Sequence, residues 1–194
     1  LLAFVALRWW RGAVAWAAVV VAAAVAAVAV GVMVAAAAAM LETAERLCDE
    51  REVQVQQFNL LAGGLAALAN SSHEPGLVLD SYLLRAVAIA GWAPTFDKCA
   101  GCGAEGPHRA FNLASGGAVC SSCRTPGSGA PRPQTFELLG ALLSADWAVA
   151  DASAPEVRTE ATGLVAAYVQ WHLERGVRSL RLVDRTPSTE GARQ

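Results

Sequence analysis

Two Cys-x-x-Cys pairs limit what this chain can fold into. Cys99-Ala-Gly-Cys102 is followed by a seventeen-residue insert and then by Cys120-Ser-Ser-Cys123. Each pair sets two sulfurs on one side of a tight knuckle, and two knuckles complete a tetrahedron around Zn²⁺. Gly103 follows the first knuckle, where a residue without Cβ eases the reversal. Arg109–Leu113 and Ala118–Cys120 flank the turn cluster Ser115-Gly116-Gly117, so the insert reads as a hairpin. The layout over residues 98–124 is that of a zinc ribbon with one structural Zn²⁺. Four protein sulfurs leave no coordination position for an activated water, so such a site holds a fold together and does no chemistry. Two disulfides, or two redox dithiols, are the competing readings of the same residues. No βαβ pattern surrounds either pair, as a thioredoxin-like dithiol needs. His108, beside Pro107, reads as a solvated turn residue rather than a substitute ligand.

The N-terminal tract is of a different kind. Gly12 to Leu41 carries no charge and is almost entirely Ala and Val, longer than the ~20 residues that span a bilayer. Arg8 and Arg11 precede it and Trp9, Trp10 and Trp16 sit at its edge, as in a membrane anchor with its N-terminus inside. Such a tract is also what a shifted reading frame gives in GC-rich DNA. That fits a chain with Lys98 as its single lysine and many arginines. Residues 1–39 are therefore read as aberrant or transmembrane-like. A start on Leu1 rather than Met is that expected of a fragment.

From Met40 the periodicity is helical. Helices are expected near Met40–Cys48, Val55–Leu68, Leu77–Ala90 and Gln134–Ala148. A fifth is expected from Ser153 as N-cap, through Pro155 and Glu156, to Gly176. The Gly63-Gly64 pair suggests a neighbouring backbone packed close. Asp49–Glu52 reads as a solvated helix end, 125–133 as an extended linker and 186–194 as a disordered tail. The fold class is mainly α: one helical domain over residues 40–185, with the four-cysteine zinc ribbon and its small β-hairpin inserted between the third and fourth helices. Its expected core holds Leu47, Phe58, Leu61, Tyr82, Leu139, Leu143, Leu164, Tyr168 and Trp171, and Cys48 reads as a small buried hydrophobe. His172, beside that face, reads as a packing residue.

The order of these elements resembles a known family. The resemblance is carried by Met40-Leu-Glu-Thr-Ala-Glu-Arg-Leu47, then Tyr82-Leu-Leu-Arg-Ala-Val-Ala-Ile-Ala-Gly-Trp-Ala-Pro94. Cys99-Ala-Gly-Cys102-Gly, Gly117-Ala-Val-Cys120-Ser-Ser-Cys123 and Tyr168-Val-Gln-Trp-His-Leu-Glu-Arg175 follow. From about Met40 to Arg185 the chain resembles the C-terminal helical and zinc-ribbon part of the RecO family of bacterial recombination-repair proteins. The resemblance implies a mediator rather than an enzyme, cytoplasmic and nucleoid-associated. It implies binding of single- and double-stranded DNA, strand annealing, and partnership with RecR, single-strand-binding protein and, indirectly, RecA. It implies an OB barrel ahead of the helical domain. Residues 1–39 are too few for its five strands, so a truncated relative is expected. The four cysteines match the family's metal ligands.

Two other functions fit parts of the chain: a membrane-anchored zinc-ribbon adaptor, resting on residues 12–41, and a dithiol redox or metal-handling protein. No Ser/His/Asp arrangement, phosphate-cradling loop or H-E-x-x-H motif supports catalysis. The net charge of −2 and pI near 5.9 give no overall basic field, so any DNA contact must be local. Arg109 on the ribbon, with Arg124 and Arg132 beyond it, are the candidates for phosphate contact, against the alternative of solvated surface charge.

Overall fold

Helix α3, Pro75–Ile89, is the element the others pack around. It starts on a proline at its first turn, where the missing N–H leaves no intrahelical bond unmade. Leu77, Leu84 and Val87 on one side and Val78, Tyr82 and Ala86 on the other are buried, so the helix serves two apolar clusters at once. The computed structural model describes residues 26–48 and 54–183. Six helices are described: α1 Ala26–Leu47, α2 Val55–Ala69, α3, α4 Pro133–Ser144, α5 Trp147–Ala152 and α6 Pro155–Val183. Between α3 and α4 lie two short strands, β1 Ala110–Asn112 and β2 Gly117–Val119, paired antiparallel with Phe111 opposite Ala118. The mainly helical class with an inserted hairpin is therefore the observed one.

The larger cluster lies where α3, α4 and α6 meet. Leu138, Leu139 and Leu142 of α4 pack on Val157, Ala161, Val165 and Tyr168 of α6. Burying each such side chain contributes roughly 1.5–3 kcal/mol. Phe111 and Ala118 of the hairpin belong to this cluster, with the Phe111 ring 6.1 Å from Tyr168 and 6.4 Å from Phe136. The ribbon is thus seated in the helical core along one face. The segment expected as an extended linker is paired to the hairpin, because Phe111 and Gly129 exchange backbone hydrogen bonds of 3.0 and 2.8 Å.

The smaller cluster joins α1, α2 and α3 through Ala36, Met40, Leu68, Val78, Tyr82 and Ala86. Tyr82 fixes α1 by donating its hydroxyl to the Met40 carbonyl at 3.1 Å. Helix α1 begins well before Met40, and residue 40 falls inside it. Its 22 residues, with a mean hydropathy of 1.9 over an 18-residue window, suffice to cross a membrane by length and composition. Val28, Val30, Val32 and Val34 are exposed, whereas Ala36 and Met40 are buried against α2 and α3. Residues 1–25, with Arg8, Arg11 and the three tryptophans, lie outside the described residues, as do 49–53 and 184–194.

Several expectations are corrected. Phe58 is 69% exposed, because α2 turns Gln57 inward instead, and the Gln57 Nε2 donates to the Ala86 carbonyl at 2.8 Å. Trp171 and Cys48 are exposed. Leu47, Leu61, Leu143 and Leu164 are half-buried at the core's edge, whereas Tyr82, Leu139 and Tyr168 are buried as expected. At Gly64 the close neighbour is the Met40 side chain, 3.4 Å from where a Cβ would stand, rather than a backbone, and Gly63 has open space. The helix expected over Gln134–Ala148 is broken at Ala145, which is left-handed at φ 59. Asp146 then caps α5 by accepting from the Val149 N–H. Ser153 ends α5 instead of capping α6, and its hydroxyl donates to the Ala150 carbonyl. Gly176 does not stop α6, which continues to Val183.

One buried carboxyl makes stability depend on pH. Asp80 of α3 is 3% exposed and accepts the Thr162 hydroxyl of α6 at 2.6 Å. Burial pushes it from its ordinary 3.8 up to about 6, with the Thr162 bond opposing and the nearby Glu74 charge adding. A carboxyl whose folded pKa lies above its unfolded one favours the fold while protonated. Stability is therefore greatest below pH 4 as far as this group goes, and falls as pH rises from about 4 through 6. The shift corresponds to about 3 kcal/mol at neutral pH. Asp80→Asn is expected to raise stability at pH 7.5 by about 1–3 kcal/mol and leave it almost unchanged at pH 4. Urea unfolding at both pH values checks this, and equal effects at the two would contradict it.

Candidate metal centre

The two knuckles form because their backbones close on themselves. Gly103 donates to the Cys99 carbonyl at 2.8 Å and Cys123 to the Cys120 carbonyl at 3.2 Å. Gly103 has φ +75, the conformation its place after the knuckle called for. The first knuckle is held to the hairpin by the Ala100 N–H donating to the Ala118 carbonyl at 2.7 Å. The second follows directly from β2. The sulfurs of Cys99, Cys102, Cys120 and Cys123 consequently all lie within 4.8 Å of one another.

These distances fit a metal. Four sulfurs at about 2.3 Å from a tetrahedral ion stand about 3.8 Å apart. The Cys102 and Cys120 sulfurs are 3.8 Å apart across the two knuckles. Gly101 allows the approach, since a Cβ there would stand 3.1 Å from both Cβ and Sγ of Cys123. That role was not read from the sequence, although a glycine inside a Cys-x-x-Cys knuckle is a usable signal for it.

The electrostatics point the same way. The Cys120 N–H is aimed at Cys99 Sγ, 3.3 Å away, and this bond, aided by the amides of Cys102 and Gly101 against the effect of burial, pulls the Cys99 thiol from 9.0 down to about 6. Cys123 faces the sulfurs of Cys120, Cys102 and Cys99 and is pushed up to about 12. Four thiolates cannot share so small a volume unless a cation lies among them. The group can hold a metal ion, with all four positions filled by protein.

His108 stays outside this group and its Nε2 is bonded to the Ala104 carbonyl at 2.9 Å. His172 packs its ring on Tyr168 and Trp92, with centroids 4.4 and 5.5 Å away. Arg109, just before β1, and Arg124, just after the second knuckle, are exposed. Arg132 is exposed too, but Glu160 engages it: the guanidinium lies 3.6 Å from one carboxylate oxygen and its backbone N–H donates to the other at 3.1 Å. The Thr135 hydroxyl also donates to Glu160 and, with Arg132, holds that carboxyl below its usual range. Nothing in the sequence around Arg132 announced a partner twenty-eight residues away.

The chain is a helical domain with a four-cysteine ribbon, able to hold a metal ion, seated between its third and fourth helices. The family described as "Recombination protein O C terminal" matches residues 30–181, and the chain belongs to it. Among curated relatives, a "DNA repair protein RecO" of Streptomyces coelicolor is 58% identical over 148 residues, which cover 76% of this chain and 60% of the relative. Proteins of the same name from a Nocardioides species and from Thermobifida fusca are similar. The first is 59% identical over 150 residues, covering 75% of this chain and 62% of the relative. The second is 58% identical over 148 residues, covering 76% and 61%. The chain spans about 60% of the length of these relatives.

Proposed function

We propose that this chain is the helical and ribbon part of a DNA repair and recombination mediator of the RecO type, and that its four cysteines hold one structural Zn²⁺. The observation that carries the reading is identity near 58% to proteins named DNA repair protein RecO over three quarters of this chain. On this reading the protein is a mediator rather than an enzyme and works in the cytoplasm at the nucleoid. It binds single- and double-stranded DNA, anneals strands, and acts with RecR and single-strand-binding protein to help load RecA. Zinc is favoured among metals by four thiolates in a closed tetrahedral set, which suit its softness and leave no open position. The metal orders a ribbon too small to bury a core of its own.

Arg109 and Arg124 are the proposed phosphate contacts, because their guanidinium groups are exposed on a ribbon that the helical core holds in place. Arg132 contributes less, since Glu160 already neutralises it. The test is a fluorescence-anisotropy titration of a labelled single strand at several salt concentrations. Arg109→Ala and Arg124→Ala are each expected to weaken binding for all sequences and to reduce the salt slope by about 0.7. Arg132→Ala is expected to change little. An unaltered affinity and slope in the Arg109→Ala, Arg124→Ala double variant would make the ribbon a structural staple only.

A further inference from the structure

The four cysteines are not equivalent. Cys99 is buried and receives the Cys120 N–H, Cys120 and Cys123 are half-buried, and Cys102 is exposed. Cys102 also faces a sulfur of the opposite knuckle, Cys120, at 3.8 Å. We propose that the centre is a peroxide-sensitive latch, in which Cys102 is oxidised first and is then captured by Cys120, releasing the metal. This rests on the zinc reading above, but not on the DNA contacts.

The steps balance with a hydroperoxide as the named oxidant. The Cys102 thiolate attacks one peroxide oxygen, so an S–O bond forms, the O–O bond breaks and hydroxide leaves. The Cys120 thiolate then attacks the Cys102 sulfur, so an S–S bond forms, the S–O bond breaks and a second hydroxide leaves. Two sulfurs lose two electrons and one peroxide gains them. The sulfurs must close from 3.8 Å to a bond of about 2.05 Å, a short displacement for two knuckle side chains. Cys99 and Cys123 remain, and two thiolates do not retain a structural zinc. The disulfide ties the first knuckle to the end of β2, where the Cys120 N–H meets Cys99 Sγ and the Ala100 N–H meets the Ala118 carbonyl. Phe111 and Ala118, which seat the ribbon in the helical core, lie on the strands that the metal orders, so its release loosens that seating.

The experiment uses the zinc-loaded chain as Cys48→Ala, which removes the exposed thiol outside the centre. Zinc is counted first. Hydrogen peroxide is then added below one equivalent, released zinc is followed with a colorimetric chelator, free thiols are alkylated, and disulfides are mapped by mass spectrometry. One zinc per peroxide reduced, a Cys102–Cys120 disulfide as first product, and reuptake of zinc after dithiothreitol are expected. Zinc retained while peroxide is consumed, or a first disulfide other than Cys102–Cys120, overturns the latch and leaves the zinc reading standing. A chain that holds no zinc before peroxide overturns both.

Discussion

Replacing Cys99 with Ala is expected to abolish stoichiometric metal binding and to lower the thermal midpoint by about 10 °C or more. Structural zinc contributes an apparent 10–16 kcal/mol or so in small metal-ordered domains, comparable to the whole stability of an ordinary domain. Cys99 is the buried cysteine of the cluster, and Ala110 and Val119 of the hairpin pack around it. Losing it frees the strands that hold Phe111 between Phe136 and Tyr168. A Phe removed from such a core costs about 3–5 kcal/mol, and a domain of this size shifts its midpoint about 2–4 °C per kcal/mol. The contacts of α2 with α3 do not pass through the ribbon, so most of the helical circular dichroism should survive at low temperature. Metal analysis and a thermal melt check both parts. A variant that keeps its metal and melts with the parent would show that Cys99 is not a ligand.

Gly117→Ala is expected to be the most damaging substitution outside the cysteines, destabilising by about 3 kcal/mol or more. Gly117 has φ +147, and a Cβ there would stand 2.1 Å from the Thr95 carbonyl oxygen and 2.8 Å from the Thr95 nitrogen. Those Thr95 atoms are engaged: the nitrogen donates to the Gly116 carbonyl and the oxygen accepts from the Ala118 N–H, at 3.1 and 2.8 Å. Backbone cannot swing aside as a flexible side chain can, so a methyl group forces the segment after α3 away from the hairpin. Gly163→Ala is the matched control. It lies within α6 with nothing within 4 Å of its would-be Cβ, and a helix-interior glycine gains about 0.5–1 kcal/mol on becoming Ala. Urea unfolding of the two variants should move in opposite directions. A Gly117→Ala chain within about 1 kcal/mol of the parent would contradict the close approach.

The four-cysteine cluster was legible because its signal is short-range. Knuckle spacing, Gly103 and the Ser115–Gly117 turn are local facts, and local facts survive folding. The helices were legible for a related reason, since apolar spacing along α3 and α6 marks a face whatever it packs on. Which face wins is a tertiary question. In α2 Leu61 packs against the core cluster, but Phe58 does not, because the Ala86 carbonyl takes the amide of Gln57 beside it. The break at Ala145 had no glycine or proline to announce it, and only Asp146 ahead of Trp147 hinted at a new N-cap. The seating of the ribbon on α4 and α6, and the Arg132–Glu160 pair, join residues far apart in sequence and leave no local trace. Family membership was carried by residues from Met40 to Arg175, and the match over residues 30–181 agrees with it.

Zinc K-edge X-ray absorption on the purified chain, with the metal counted in the same sample, tests the central claim most directly. One zinc per chain with four sulfur neighbours at about 2.3 Å is the predicted result. A metal-free chain with two disulfides, or a zinc bound through nitrogen or oxygen in place of any of Cys99, Cys102, Cys120 and Cys123, would contradict it.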